Sequence, residues 1–182
     1  MEHGFYYLIN FGRELPAFMS LCAVLFLLIG LYWFGTGIAE IQKYNRQGQT
    51  TPKQITARVF AGFLLLTLEA FMSMLGFSFF GVESGELHYF TSFTAPPEGT
   101  VVSDQIAYVL PTYFAFMGWL AAYKGVRTFN EGARYNEKGY GRTAIGYLIF
   151  GLVLLKLPLF IDWAAASAGF TESFGTDYLV PA

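Results

Sequence analysis

The sequence predicts an all-α integral membrane protein with four transmembrane helices, arranged as two tandem helical hairpins that form a parallel repeat. Three observations predict this fold: the composition, four long apolar runs, and the clustering of basic residues. Of the 182 residues, 54% are hydrophobic and only 13% are charged, whereas about a quarter are charged in a typical soluble domain. Four helices of about 20 residues use most of the chain, so we expect a single membrane domain over 1–182.

The four apolar runs have about the length that a bilayer core requires. The third run is the shortest and contains Pro111 in its first turns, where a proline is tolerated because early helical N–H groups lack partners. The predicted spans are Ala17 to Ile38, Val59 to Phe80, Ile106 to Tyr123, and Thr143 to Ala168. They give a first hairpin over 15–81, an outer connecting loop over 82–105, a second hairpin over 106–168, and an outer C-terminal tail over 169–182.

The basic residues predict the orientation. Nine of the eleven Lys and Arg residues fall in two stretches, which the positive-inside bias places in the cytoplasm as two loops. Both termini and the central loop would then lie outside, and the start of the chain lacks the basic region of a cleaved signal. The nine are Lys43, Arg46, Lys53 and Arg58, followed by Lys124, Arg127, Arg134, Lys138 and Arg142.

Glycines recur in both halves and predict close helix packing. Gly118, Gly125, Gly132, Gly139 and Gly146 follow one another every seventh residue, which nearly completes two helical turns. Small residues on one helical stripe let neighbouring backbones approach in membranes. For Gly132 and Gly139 the alternative is ordinary turn chemistry. The predicted packing positions are Gly30, Gly37, Gly118, Gly125 and Gly146.

Two ionisable residues lie within the returning helices, which are the second and fourth predicted spans. Glu69 and Lys156 would each cost at least about 2.5 to 3.5 kcal/mol as isolated charges at mid-bilayer. We expect them to form an ion pair, within one subunit or between neighbours. The alternatives are a snorkelling Lys156 and a protonated Glu69. A small transporter would use the same residues as an ion or proton site, although it would more often show several polar groups and broken helices.

No catalytic chemistry is predicted. The sequence holds no nucleotide-binding glycine loop, no metal-ligand cluster and no nucleophile with an orienting base. We therefore assign no catalytic residue, metal site or cofactor. Cys22 is the only cysteine, which excludes an intrachain disulfide and favours a role as a small apolar filler.

The basic stretch Lys124-Gly125-Val126-Arg127-Thr128-Phe129-Asn130, the apolar run from Gly146 to Leu157 and the paired hairpins resemble the DotE/IcmC and TraQ-like membrane proteins of type IVB secretion and I-type conjugation systems. Each hairpin is also similar to a conjugative pilin, in which two apolar helices flank a short basic loop and subunits stack helically with phospholipid. The chain differs from that pattern in its double length and in lacking an evident leader.

The resemblance implies a non-enzymatic structural subunit that assembles with copies of itself in a bacterial inner membrane, from which it would be extracted into an extracellular pilus. Phospholipid, other secretion-system components and transferred DNA or protein, without sequence-specific binding, are the implied partners. The alternative is a permanent inner-membrane scaffold or channel component. Expected contacts with lipid head groups or a lumen are Lys43, Arg46, Arg58, Lys124, Arg127, Arg134, Lys138 and Arg142.

Overall fold

A computed structural model describes residues 2–47, 51–80 and 102–168, and all of the secondary structure in these ranges is α-helical. This confirms the predicted all-α class for the described part of the chain. Six helices follow one another: α1 Glu2–Gln47, α2 Pro52–Leu66, α3 Leu68–Phe80, α4 Val102–Tyr135, α5 Tyr140–Leu155 and α6 Leu157–Ser167.

The helices extend well past the predicted spans. The 46 residues of α1 and the 34 of α4 correspond to about 69 and 51 Å of helix at about 1.5 Å per residue. The prediction of a loop over 124–142 is therefore wrong. Helix α4 continues to Tyr135, and α5 starts at Tyr140. Charged side chains do not end a helix, because helix ends are set by caps and by residues that leave helical geometry.

The turn between α4 and α5 occupies only residues 136–139. Asn136 and Gly139 both have positive φ, at 55° and 78°. Glycine adopts this region freely, and Asn is among the few other residues that visit it. Turn chemistry, the alternative considered for two of the glycines, thus applies to Gly139. Gly132 instead lies within α4 and packs on Tyr140.

Both returning segments are interrupted at a single residue. Thr67 separates α2 from α3, and Lys156 separates α5 from α6, after 15 and 16 helical residues respectively. Helical hydrogen bonding continues across each break, because Thr67 N–H donates to Phe63 O at 3.0 Å and Lys156 N–H donates to Leu152 O at 3.0 Å. Beside Lys156, Pro158 has no N–H to offer to the preceding turn.

Backbone contacts divide the chain into two compact units. Unit 1 takes the described parts of Met1–Leu21, Ser73–Trp119 and Leu152–Ala182, and unit 2 is Cys22–Met72 with Leu120–Gly151. Each unit therefore draws on segments from both predicted hairpins. In unit 1, Leu15, Met19 and Trp119 are buried, and the Phe11 ring lies 5.9 Å from that of Tyr113.

Within unit 2, α1 and α2 form an antiparallel pair whose backbones nearly touch. A Cβ atom on Gly30 would lie 2.9 Å from Leu65 Cβ and 3.1 Å from Gly62 O, and one on Gly62 would overlap the backbone of Phe34. Further along, a Cβ on Gly37 would lie 2.7 Å from Val59 Cγ2. Gly30 and Gly37 thus occupy the close-packing role that their spacing predicts, and Gly62 is the partner that the sequence pattern did not single out.

A second antiparallel pair in unit 2 joins α4 and α5. A Cβ on Gly125 would lie 2.9 Å from Ala144 O and 3.1 Å from Leu148 Cγ. Gly118, in unit 1, is buried. A Cβ on Gly146 would meet nothing within 4 Å, so the predicted packing role does not hold for Gly146 inside the chain. This side of α5 is open, and neighbouring Ile145 and Ile149 are exposed as well.

One described helix is both long and apolar enough to cross a bilayer, over Ala17–Asn45 within α1. It begins where the first predicted span begins. The Tyr140–Leu155 helix is apolar but shorter. The interruption at Lys156 limits the length of that helix, and the one at Thr67 limits α2 in the same way. The remaining three spans stay predictions.

Gly62→Ala and Gly146→Ala form a matched pair that tests the packing of α1 on α2. The first methyl would overlap backbone atoms of Phe34, which cannot rotate away, so we expect a loss of about 1 to 3 kcal/mol. The second enters open space and should stabilise its helix by about 0.5 to 1 kcal/mol. Thermal unfolding of the purified protein in detergent measures both. Equal stability of the two variants would contradict the close approach.

Candidate functional site

The polar end of unit 2, defined here as residues 40–58 and 124–142, contains most of the chain's basic residues. Nine Lys and Arg against three Glu leave a net charge of +6 in these ranges, although the whole chain carries −2. The helix ends that meet here are the C-terminal turns of α1 and α4 and the first turns of α2 and α5. Such a charge density suits an anionic partner.

Two hydrogen bonds tie the start of α2 to the turn after α4. Lys53 Nζ donates to Asn136 Oδ1 at 2.9 Å, and Gln54 Nε2 donates to the carbonyl of Arg134 at 2.8 Å. The same Gln54 amide accepts from Thr51 N–H at 3.4 Å through its Oε1, as in a helix N-terminal capping arrangement. Sequence reasoning missed Gln54 and Asn136, although the Thr51 to Gln54 spacing is a capping signal.

Arg58 is not a free cation at this end. Its guanidinium forms a salt bridge with Glu40 of α1, and the two side chains are only 16% and 23% exposed. Part of the charge that was predicted to face lipid or a lumen is therefore neutralised inside unit 2. The residues are 18 positions apart and meet only because α1 and α2 are antiparallel in this register.

Arg127 pairs with Glu131 one turn further along α4. The Nε to Oε1 distance is 2.8 Å, and both side chains are about half exposed. This hydrogen bond, followed by the charge of the Glu131 carboxylate, raises the pKa of Arg127 above its ordinary value. Arg127 therefore stays charged, and its exposed pair contributes little to stability.

Three of the basic side chains lie over aromatic rings. Lys124 Nζ lies 4.6 Å from the centroid of Tyr147, Lys53 Nζ lies 5.2 Å from that of Tyr140, and the Arg134 guanidinium lies 5.8 Å from that of Tyr135. These distances fall in the range of cation–π attraction. The other predicted contacts Lys43, Lys138 and Arg142 are exposed. The Arg46 side chain lies outside the described residues.

A cavity of about 260 Å³ opens at the polar end. It lies among α1, α2 and α4 of unit 2. Its lining is entirely polar or aromatic and consists of Glu40, Gln54, Arg58, Asn130, Arg134 and Tyr135. Of these, only Arg58 and Arg134 were predicted as functional contacts.

The predicted Glu69–Lys156 pair stays a prediction. The Glu69 side chain lies outside the described residues, although its backbone belongs to α3. Lys156 is 2% exposed in unit 1 and occupies the break between α5 and α6. The alternative of a Lys156 that snorkels to the surface does not match this burial.

No protein-family model matches the chain, and no curated protein or solved structure matches it.

Removing the carboxylate of Glu40 should destabilise unit 2, since Arg58 would keep a charge in a partly buried place. We expect Glu40→Gln to cost about 1.5 to 3 kcal/mol. The matched control is Glu131→Gln, which breaks an exposed pair worth about 0.3 to 0.5 kcal/mol. Denaturant unfolding in detergent measures the free energy of unfolding of both variants. A control variant that loses as much stability as Glu40→Gln would contradict the structural importance of the Arg58 pair.

Proposed function

We propose that the chain is a self-assembling, non-enzymatic subunit of a type IVB conjugation or secretion apparatus, exported from the bacterial inner membrane as a pilus subunit with bound phospholipid. The observation that carries the proposal is the close glycine packing of α1 on α2 together with the opposite face of α1. On that face Val24, Leu25, Leu28, Leu31 and Tyr32 are between 47% and 68% exposed. Such a face needs lipid or another subunit to cover it.

The four-span topology belongs to this proposal. The segments 52–80 and 140–167 are each a pair of consecutive helices joined by one residue, so each is long enough in total to cross a bilayer core of about 30 Å. With both basic stretches in the cytoplasm, the two halves run in the same direction. The corresponding interruptions at Thr67 and Lys156 support a tandem repeat, because they fall 15 and 16 residues after their helices begin.

The polar end supports the same proposal. Its net charge of +6 would meet anionic head groups before assembly and a lumen or transferred DNA afterwards. Lys43, Lys124, Arg134, Lys138 and Arg142 are exposed there and carry this contact. A permanent scaffold of the inner-membrane complex would use the same surface to bind cytoplasmic partners.

A small transporter is a second candidate, favoured by one observation. Broken helices are a feature of transporter sites, and both returning segments are broken. Lys156, buried at one of the breaks, is the kind of intramembrane charge that marks an ion pathway. Ion flux into liposomes containing the purified protein would separate this candidate from a scaffold.

Filaments sheared from the cell surface test the pilin proposal directly. We expect the full-length chain in the sheared fraction, because a pilin leaves the membrane as the filament grows. An inner-membrane enzyme serves as the control and should stay with the cells. Recovery of the chain solely in inner-membrane complexes would rule out the pilin and leave the scaffold or the transporter.

Single-cysteine labelling tests the topology. In a Cys22→Ser background, we expect a membrane-impermeant thiol reagent to label Ser92→Cys in intact cells, whereas Lys43→Cys and Lys138→Cys react only after the membrane is opened. The Cys22→Ser chain alone is the unlabelled control. Labelling of Lys138→Cys from outside would mean that α4 does not cross the membrane, and the parallel repeat would be wrong.

A further inference from the structure

The cavity at the polar end is lined by an amide, that of Asn130, whose polar atoms face the cavity and not a protein neighbour. Asn130 is 7% exposed, lines the cavity, and its side chain makes no hydrogen bond within the described parts of the chain. An amide offers two donors and an acceptor, and a lining residue presents these groups to whatever occupies the cavity. Nearby Gln54, by contrast, is satisfied on both sides by Thr51 and Arg134. The Asn130 amide is therefore available to a bound group.

The charges around the cavity favour a single negative charge on that group. Arg58 and Arg134 contribute two positive charges and Glu40 one negative charge. Because the Glu40 carboxylate already pairs with Arg58, the net positive charge of the cavity comes from Arg134. A monoanion balances that single positive charge, whereas a dianion would leave one negative charge without a partner, so a monoanion fits better than a dianion.

The size of the cavity and the positions of its donors restrict the kinds of ligand further. A volume of about 260 Å³ is below the range of about 300 to 1,000 Å³ typical of pockets for drug-sized ligands, so a small group fits. The donors come from two helices: Asn130 and Arg134 lie on α4, and Arg58, whose guanidinium keeps further N–H groups beside its bond to Glu40, lies on α2. A tetrahedral oxyanion accepts hydrogen bonds from several directions, whereas the two oxygens of a carboxylate lie in one plane.

We propose that this cavity binds a singly charged phosphate group, held by the Arg134 guanidinium and the Asn130 amide. The group comes from a soluble phosphate or from the head group of an anionic lipid, which share this chemistry. The Gln54 bond to the Arg134 carbonyl fixes the backbone beneath the guanidinium. The site is contained within one chain, so it forms whether or not the protein assembles into a pilus.

Binding is measured on the full chain purified in maltoside micelles, which contain no phosphate. In one arm inorganic phosphate is titrated at constant ionic strength, and in the other phosphatidylglycerol is added to the micelles. Phosphorus NMR and the shift in thermal midpoint report binding. Saturation in either arm supports the site, and the arm that saturates identifies the source of the phosphate.

Two variants remove the proposed contacts. Arg134→Gln and Asn130→Asp should each weaken binding by about tenfold or more, as expected when a hydrogen bond to a charged group is lost. The matched control is Asn45→Asp, which changes the charge by the same one unit at an exposed position outside the cavity and should stay within about twofold of the parent. Arg134 is exposed, so its variant does not depend on repacking a core, and circular dichroism confirms the helicity of both.

Absence of saturation in both arms would overturn the proposal. So would variants at Arg134 and Asn130 that bind as tightly as the Asn45→Asp control, because binding would then reflect the general positive charge of the polar end. Neither result bears on whether the chain appears in sheared filaments. The phosphate site and the pilin proposal are therefore tested separately.

Discussion

The close approach of α1 and α2 at Gly30, Phe34 and Gly62 is the constraint on which unit 2 depends. Backbones this near leave no room for a side chain between them, so the register of the two helices is fixed within less than a turn. That register then brings Glu40 beside Arg58 and sets the wall that these residues contribute to the cavity. The polar chemistry at the helix ends is thus a consequence of apolar packing along the helices.

The α4–α5 pair is also held together at a glycine, and a short turn connects its two helices. Gly125 lets α5 approach near Ala144 and Leu148, and the four-residue turn with Asn136 and Gly139 in left-handed geometry completes the reversal. Lys53 then reaches the turn from α2 through Asn136, and Phe60 of α2 packs its ring 5.7 Å from Phe129 of α4. Polar and aromatic contacts together hold the two helix pairs of unit 2 at one end.

The helical class, the start of the first apolar span and the close-packing roles of Gly30, Gly37 and Gly125 could be predicted, because hydrophobicity and small-residue spacing are local properties of a sequence. The pairing of Arg58 with Glu40 could not, since it depends on the register between two helices. The basic stretches were predicted as loops because charge and apolar runs mark the membrane boundary, which is a different boundary from the end of a helix. At Thr67 no proline or glycine lies within three residues. Its hydroxyl bonds back to the Phe63 carbonyl at 2.9 Å, but Thr36 makes the same kind of bond to Tyr32 within unbroken α1, so the hydroxyl alone does not explain the break.

The two interruptions also have a mechanical consequence. A continuous helix behaves as a stiff rod that transmits bending and torsion from end to end, whereas a residue with non-helical ψ, such as Thr67 at 15° or Lys156 at 29°, acts as a compliant joint. With one joint in each returning segment, the two portions of that segment can tilt by small amounts without unwinding, since the hydrogen bonds around each joint remain in place. Bending at these two residues would leave the close contacts of Gly30, Gly37 and Gly125 in place, because none of those contacts involves Thr67 or Lys156.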